Sequence, residues 1–450
     1  MKPSENLKIV IGGGGLVGSL LGILLGRRGF KVEIFEKRSD MRQASIGAGR
    51  SINLALANRG IAPLIRAGVM DDVRQMILPM EGRMIHDLKG EARFQAYGQK
   101  PDEVIYSVSR LDLNKLLITK AEETGNVTFR FDREVTDVNG NDKFFLSRSR
   151  DGGMSRVDFD LLIGTDGAGS QVREAVLSQK GSVENKMPLD HGYKELQIPA
   201  GPRGEFVLDP KALHIWPRGE FMMIALPNPD KTFTGTLFFP QKGEVSFEAL
   251  ITENKVEAFF KEVFPDIKDL VPDLAKSFLN SPTGQLGTIK CFPWSLENSV
   301  LLMGDAAHAI VPFQGQGMNC GFEDCGAFDE LLQKEINLES LFQKFEEFRK
   351  PNADAIADLA LENYIEMRSK VIDPRFIIKK KMEFQLENLF PEVFIPRYSR
   401  VMFHHTPYKD AKALGEIQDD ILEQLFDDFV KLDKIPFEKA KQLVLTKLSK

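Results

Sequence analysis

The stretch Ser299–Asn319 reads SVLLMGDAAHAIVPFQGQGMN. Its apolar run Val300–Met303 has the look of a strand buried on both faces. The run ends on Gly304–Asp305, passes two alanines and a single His308, and reaches Gly315-Gln316-Gly317 before a helical stretch. A buried strand that ends on a carboxylate, followed by backbone almost bare of side chains, implies that something large lies close to that backbone. Strand, glycine turn and helix in that order are parts of an α/β fold, in which ligands sit beyond the carboxyl ends of the strands.

Two other stretches repeat the arrangement. LKIVIGGGGLVGSLLGILLGRRGFKVEIFEKR, residues 7–38, predicts a strand, a glycine-rich turn, an apolar helix closed by Gly29, and a second strand. Gly13, Gly15 and Gly18 fit G-x-G-x-x-G, the spacing that lets a pyrophosphate approach backbone at a helix N-terminus. Glu36 closes the second strand, where a carboxylate can accept from both ribose hydroxyls. LLIGTDGAGSQVR, residues 161–173, puts Asp166 and Gly167 at a third strand end, with Arg173 shortly after. The first fingerprint fits NAD and FAD alike, but NAD needs only one such turn. An extended flavin needs a carboxylate for its ribityl hydroxyls, which Asp305 supplies. It also needs amides at its pyrimidine edge, which Gly315, Gly317, Met318 and Asn319 supply at a helix start. That helix end also favours negative charge on the reduced ring. The expected cofactor is FAD.

Elsewhere the pattern changes along the chain. GRSINLALANRGIAPLIRAGVMDDV, residues 49–73, predicts a helix from about Asn53 with Gly68 as its stop, and YSVSRLDLNKLLITKAEETG an amphipathic helix opening at Arg110. Short strands are expected at VTFRFD and KFFLSRS. From Lys186 to Thr288, segments such as HIWPRGEFMMIALP and FTGTLFFP alternate with turn residues, which predicts an antiparallel sheet. Beyond GQGMN the chain reads as mostly helical. The expected organisation is an α/β, Rossmann-like FAD-binding domain from residues 1–72, 101–184 and 289–330. Residues 73–100 and 185–288 would form a substrate domain with an inserted antiparallel β-sheet, and 331–450 a C-terminal helical region.

Composition adds boundaries. The 450 residues are 42% hydrophobic and 28% charged with net charge −6, ordinary for a globular protein and wrong for nonspecific nucleic-acid binding. Three cysteines make no disulfide framework, which points to a reducing compartment. No targeting segment is visible, and no run approaches the ~18 apolar residues of a membrane span. A cytoplasmic protein without a membrane anchor is expected, and no metal.

The three glycine motifs together resemble those of the single-component flavoprotein aromatic hydroxylases. Further stretches, GRSINLALANRG, YSVSRLDLNKLL, WPRGEFMMIALPN, TGTLFFP and PFQGQGMNCGFEDC, are similar to the kynurenine-hydroxylating branch of that family. The resemblance implies flavin contacts at Val17, Glu36, Ala55, Arg110, Asp305, Met318 and Asn319. It implies a substrate-carboxylate pair of Arg83 and Tyr97, further substrate contacts at Asn363 and Tyr398, and an aromatic wall at Phe313. Gln314 departs from the bulkier ring residue common in relatives. The implied reaction uses NADPH and O2, passes through a flavin C4a-hydroperoxide, and hydroxylates an aromatic amino acid ortho to its aniline nitrogen. That carbon is already electron-rich, so no residue is needed as acid or base. No second G-x-G-x-x-G follows a strand, so NADPH would meet the flavin from solvent.

Without the resemblance, several residues read more plainly. Arg83 alone suggests a structural ion pair, Tyr97 a loop aromatic, and His308 a neutral side chain satisfying local backbone. Cys320 and Cys325 have the C-x-x-x-x-C spacing of redox disulfides, but five residues at ~100° each place them on different helix faces. FIIKKKMEF reads as a solvated helix face, with a basic membrane-surface patch as the alternative. Two other functions stay open: a flavin hydroxylase of another aromatic acid, and a non-catalytic flavin-binding sensor.

Overall fold

The computed structural model describes residues 7–43, 53–335 and 337–448; residues 49–52 of GRSINLALANRG lie outside them. The chain forms two units, each gathered from three segments. The first holds Met1–Ile77, Tyr106–Leu189 and Gln285–Ala360, and the second Leu78–Ile105, Asp190–Gly284 and Leu361–Lys450.

The first unit is built on a six-stranded sheet in the order Ser295–Leu296, Val300–Leu302, Leu161–Gly164, Ile9–Gly12, Val32–Glu36, Val127–Phe131. Every neighbouring pair is parallel except the two-residue edge strand. Parallel strands are covered on both faces, and the three central ones are accordingly buried along their whole length. Ile9 pairs with both Leu161 and Val32, a register that ends Ile9–Gly12 and Leu161–Gly164 side by side at Gly12 and Gly164. The helix Leu16–Arg27 makes the first crossover. An antiparallel meander, Arg133–Asn139, Phe144–Ser149 and Met154–Asp158, makes the one that leads to Leu161.

The helix expected from about Asn53 begins later. Asn53–Leu56 is a strand, antiparallel to Ile105–Ser109 with Ala55 opposite Ser107, and the helix is Asn58–Arg66. Four residues carry too little helix propensity to outweigh a strand partner that is distant in sequence. The other expected helix does open at Arg110, where the Ser109 hydroxyl accepts from the Asp112 amide at 3.2 Å.

In the second unit the sheet runs, in order, through the His191–Ile198 end of Val183–Ile198, then Phe233–Pro240, Met222–Pro227, Ala212–Pro217, Gly82–His86 and Ala92–Ala96. Its pairings are antiparallel except that Ala212–Pro217 lies parallel to Gly82–His86. Within the stretch expected to hold the antiparallel sheet, three helices that the sequence pattern does not announce form between Glu253 and Asn280: Glu253–Val263, Pro265–Lys268 and Leu274–Asn280. Val256, Phe260 and Phe264 recur at helical spacing. With Phe278 they pack on Trp216, Phe233 and Phe239 of the sheet. The last helices, Pro374–Leu389, Tyr408–Leu432 and Phe437–Leu448, bury a core of Met382, Leu386, Ile421, Leu425, Phe429, Ala440 and Val444. Among the described residues, no helix is long and apolar enough to cross a membrane.

Candidate active site

Three glycine turns meet at the carboxyl ends of the parallel strands. Gly13 has φ +106°, and a Cβ there would stand 2.5 Å from the Thr165 carbonyl oxygen and 2.8 Å from Asp166 Cα, so the first turn lies directly on the second. Gly304 has φ +58°, and its Cβ would meet Val17 Cγ2 at 3.0 Å, bringing the third turn onto the first helix. A Cβ on Gly315 would meet that of Ala55 at 3.0 Å, and one on Gly18 would collide with the Gly13 carbonyl. In contrast, a Cβ on Gly15, Gly167 or Gly317 would have no neighbour within 4 Å. Glycines crowded from behind and open in front form a cradle of bare backbone, the shape a flat ring system and a diphosphate require. FAD fits these residues.

The side chains around the cradle divide their work. Asn319 is fully buried: Nδ2 donates to the carbonyls of Ala55 and Gly315, each at 2.8 Å, and Oδ1 accepts from the Ala57 amide at 2.9 Å. That side chain is spent on locking strand, turn and helix together. What Asn319 can offer a ligand is its backbone amide, with those of Gly317 and Met318, because no side chain caps the helix Gly317–Lys334. Glu36 is buried and well used. It accepts from the Gly14 amide at 2.9 Å and from the Arg38 amide and Nε at 2.9 and 2.7 Å. Burial works against its charge, but Arg38 holds the carboxyl below the usual range. Asp166 Oδ2 accepts from the amides of Gln171 and Val172, at 2.8 and 3.3 Å, while Oδ1 is buried with no hydrogen-bond partner among the described residues. A bare acceptor suits a hydroxyl donor and not a phosphate. Asp305 is exposed at the strand end. Surrounding protein nonetheless raises its pKa, and the charges of His308 and Arg110 work in the opposite direction.

Arg173, which follows the second glycine turn in sequence, reaches across to the third. Nη1 donates to the Ala306 carbonyl at 3.0 Å and Nη2 to that of Ala168 at 2.6 Å, with Glu184 on Nε at 2.8 Å. One guanidinium thus staples the second glycine turn to the third. His308 overturns its expectation. It is buried against Asp324, Nε2 to Oδ2 at 2.6 Å, and although burial opposes its charge, the carboxylate holds its pKa well above the imidazole value. Cys320 and Cys325 are buried free thiols on one helix, with no disulfide between them.

The second unit holds another cluster. Arg83, on the strand Gly82–His86, is buried with Nη1 2.8 Å from Glu366 Oε1 and Nη2 3.5 Å from Asn363 Oδ1. The guanidinium stands over the rings of Tyr398 and Tyr97, 5.0 and 5.8 Å from their centroids, and those rings stack 5.3 Å apart. Hairpin pairing explains part of this: Arg83 lies opposite Gln95, and the Tyr97 amide donates to the Glu81 carbonyl at 3.1 Å. All four residues named by resemblance in this unit are therefore in one place. Burial is the main influence on each charge. It opposes that of Arg83, but Glu366, with Tyr398 and Tyr97, more than compensates; it pushes Tyr398 up to about 12 and Tyr97 well above its ordinary value. The Tyr97 hydroxyl is buried with no hydrogen-bond partner among the described residues. A buried cation over two stacked tyrosine rings, with the Tyr97 hydroxyl on one of them, makes a receptor for a carboxylate on an aromatic molecule. Glu366 was missed by sequence reasoning, although its i+3 spacing from Asn363 on one helix was a usable signal. Phe313 and Gln314 are buried in the short turn Pro312–Gln314 of the first unit.

Residues 6–200 and 291–360 match the FAD binding domain family. The chain is 46% identical to the kynurenine 3-monooxygenase of Myxococcus xanthus over 450 residues, covering 100% of this chain and 97% of the relative. It is 42% identical to that of Dictyostelium discoideum over 460 residues, covering 99% of each. Among solved structures, p-nitrophenol 4-monooxygenase from Pseudomonas putida has TM-score 0.67 at 17% identity, covering 93% of this chain and 98% of that one. The oxygenase of 2-methyl-3-hydroxypyridine-5-carboxylic acid has TM-score 0.66 at 19% identity, covering 82% and 95%. The two structures share the fold, and the sequence relatives carry the identification: the chain belongs to the kynurenine 3-monooxygenase family of FAD-dependent monooxygenases.

Proposed function

We propose that the enzyme hydroxylates L-kynurenine to 3-hydroxykynurenine with NADPH and O2. The observation that carries the substrate is the buried group of Arg83, Tyr97, Asn363 and Tyr398, whose chemistry matches an α-carboxylate on an aromatic amino acid. Arg83 donates to the carboxylate through a charge-assisted pair, and the Tyr97 hydroxyl donates a second bond. Tyr398 and Asn363 orient the rest of the molecule.

FAD is held by Gly13, Gly15 and Gly18 at the diphosphate, Glu36 at the ribose and Asp305 at the ribityl hydroxyls. The amides of Gly315, Gly317, Met318 and Asn319 meet the pyrimidine edge, and Val17, Ala55, Arg110 and Asp166 line the cradle. Bound FAD supplies the redox chemistry, accepting hydride from NADPH and delivering one atom of O2. No side chain is assigned as acid or base, because the substrate's aniline nitrogen activates the carbon that is attacked. The protein's work is to orient the ring and exclude water.

The test is to mix the holoenzyme with NADPH in air, with and without L-kynurenine, and identify the product by mass and chromatography. A kynurenine-dependent product heavier by one oxygen is expected. NADPH oxidation stimulated by hydroxybenzoate or anthranilate, and not by kynurenine, would move the assignment to another aromatic acid.

A further inference from the structure

Beside the cradle lies a string of buried charges to which the reaction gives no work. Asp324, on the helix Gly317–Lys334, is 0% exposed. Its Oδ2 accepts from His308 Nε2 at 2.6 Å and from the Gly304 amide at 2.9 Å, and its Oδ1 accepts from Arg349 Nε at 2.7 Å. Arg349 also donates to Glu323 at 2.7 Å and to the Cys320 carbonyl at 3.2 Å, and Glu323 meets Arg59 at 2.9 Å. His308, Cys320 and Asp324 hold ligand atoms within 4.8 Å of one another, a spacing that could suit a metal ion. The Arg349 guanidinium is already on Asp324 and Cys320, so the cation's place there is filled by protein.

Buried ion pairs stabilise a fold less than apolar packing of the same volume, so this string invites another explanation. Its one contact with backbone at the strand end supplies that explanation. Gly304 sits at φ +58° and ψ −144°, a conformation essentially reserved for glycine, and its amide points at Asp324. The next residue is Asp305. Asp324 rides on the helix whose first turn carries the amides of Gly317, Met318 and Asn319, so one side chain ties the carboxylate end of the cradle to its amide end.

We propose that Asp324, clamped by His308 and Arg349, is the positioning residue of the flavin pocket: it holds the Gly304 amide and thereby aims Asp305 at the ribityl chain. The proposal rests on the reading of Asp305 given above. The clamp is durable. Burial opposes ionisation of Asp324, yet His308 and Arg349 bring it down to about 2, while Asp324 holds His308 well above its ordinary value.

The experiment compares Asp324→Asn with the unaltered holoenzyme by flavin-fluorescence titration, the shape of the visible absorption bands, and far-UV melting. The variant should bind FAD roughly tenfold or more weakly with altered bands, the order expected for one lost charge-assisted hydrogen bond. A merely structural carboxylate would lower the melting temperature while the folded fraction bound FAD with unchanged dissociation constant and spectrum, and that result overturns the proposal. If Asp324→Asn does not fold, His308→Gln decides, since it keeps a donor toward Asp324 and removes the charge. Weaker FAD binding with altered bands supports the clamp, and unchanged binding and bands overturn it. Asp305→Ala separates the two readings. If that variant binds FAD normally, the assignment of Asp305 fails. If it binds weakly while Asp324→Asn binds normally, the positioning role alone fails.

Discussion

Arg83 is an ion pair, as a lone arginine in sequence suggests, but a buried one whose guanidinium is walled by Tyr97 and Tyr398. Removing it takes from Glu366 its hydrogen-bonded partner, leaving Lys380 and Arg397 as the nearby positive charges, and takes from the substrate carboxylate its anchor. Breaking a buried pair costs about 3–5 kcal/mol. Arg83→Ala is therefore expected to raise KM for the aromatic amino acid by orders of magnitude while flavin content, read by absorbance, stays normal. Arg83→Lys should rescue little, because a point charge cannot make the forked contact. Normal turnover by Arg83→Ala would remove the cluster from the substrate site. The His308–Asp324 pair gives a pH prediction at the same scale. Asp324 is depressed, so its contribution to stability is complete above the ordinary 3.8 and is lost as pH falls toward about 2. His308 is raised, so its contribution is complete below the ordinary 6.5 and is lost as pH rises through the elevated value. The urea midpoint of the unaltered protein should exceed that of His308→Gln near neutrality, and the gap should close at both extremes. A gap independent of pH would contradict the ion pair.

At the level of elements, the cradle is two kinds of glycine, and they answer differently to a methyl group. Gly304 is crowded by Val17 and sits in a glycine-only conformation, so Gly304→Ala should destabilise the fold itself, by about 1–3 kcal/mol, and weaken FAD binding with it. Gly317 faces open space at a helix start, where alanine is a better helix former by up to about 1 kcal/mol. Gly317→Ala should keep or raise the melting temperature of the apoprotein while weakening FAD binding. A Gly317→Ala protein with unaltered FAD affinity would mean the ring does not lie there. The same distinction explains what was legible in the sequence. Gly13, Asp166 and Asp305 announce themselves because strand, turn and helix are contiguous and their chemistry is local. The strand Asn53–Leu56 was invisible because its partner at Ser107 is half a hundred positions away, and the helices of Glu253–Asn280 were hidden under the turn signals around them. Arg83, Tyr97, Asn363 and Tyr398 share no local pattern. Only resemblance selected them, and Glu366, which the resemblance left unnamed, was passed over.

Over the whole molecule, the residues assigned to FAD and those assigned to the substrate carboxylate fall in different units. Gly13, Glu36, Asp305 and the amides from Gly315 to Asn319 belong to the first, and Arg83, Tyr97, Asn363 and Tyr398 to the second. Neither composition nor net charge foretells that division, since each unit is assembled from three separated segments. It has a thermodynamic consequence. A ligand that binds only folded protein stabilises it by RT ln(1 + [L]/Kd), about 2.7 kcal/mol at a hundredfold excess over Kd. FAD and L-kynurenine should therefore each raise the unfolding midpoint in proportion to the logarithm of its concentration, and single substitutions should separate the two effects. Arg83→Ala should abolish the kynurenine-dependent rise and leave the FAD-dependent one. Gly317→Ala should diminish the FAD-dependent rise and leave the kynurenine-dependent one, because its carboxylate anchor is untouched. Denaturant titrations of the two variants across a range of each ligand make the measurement. A full kynurenine response from Arg83→Ala would show that the substrate is gripped by other residues, whichever cofactor the first unit holds.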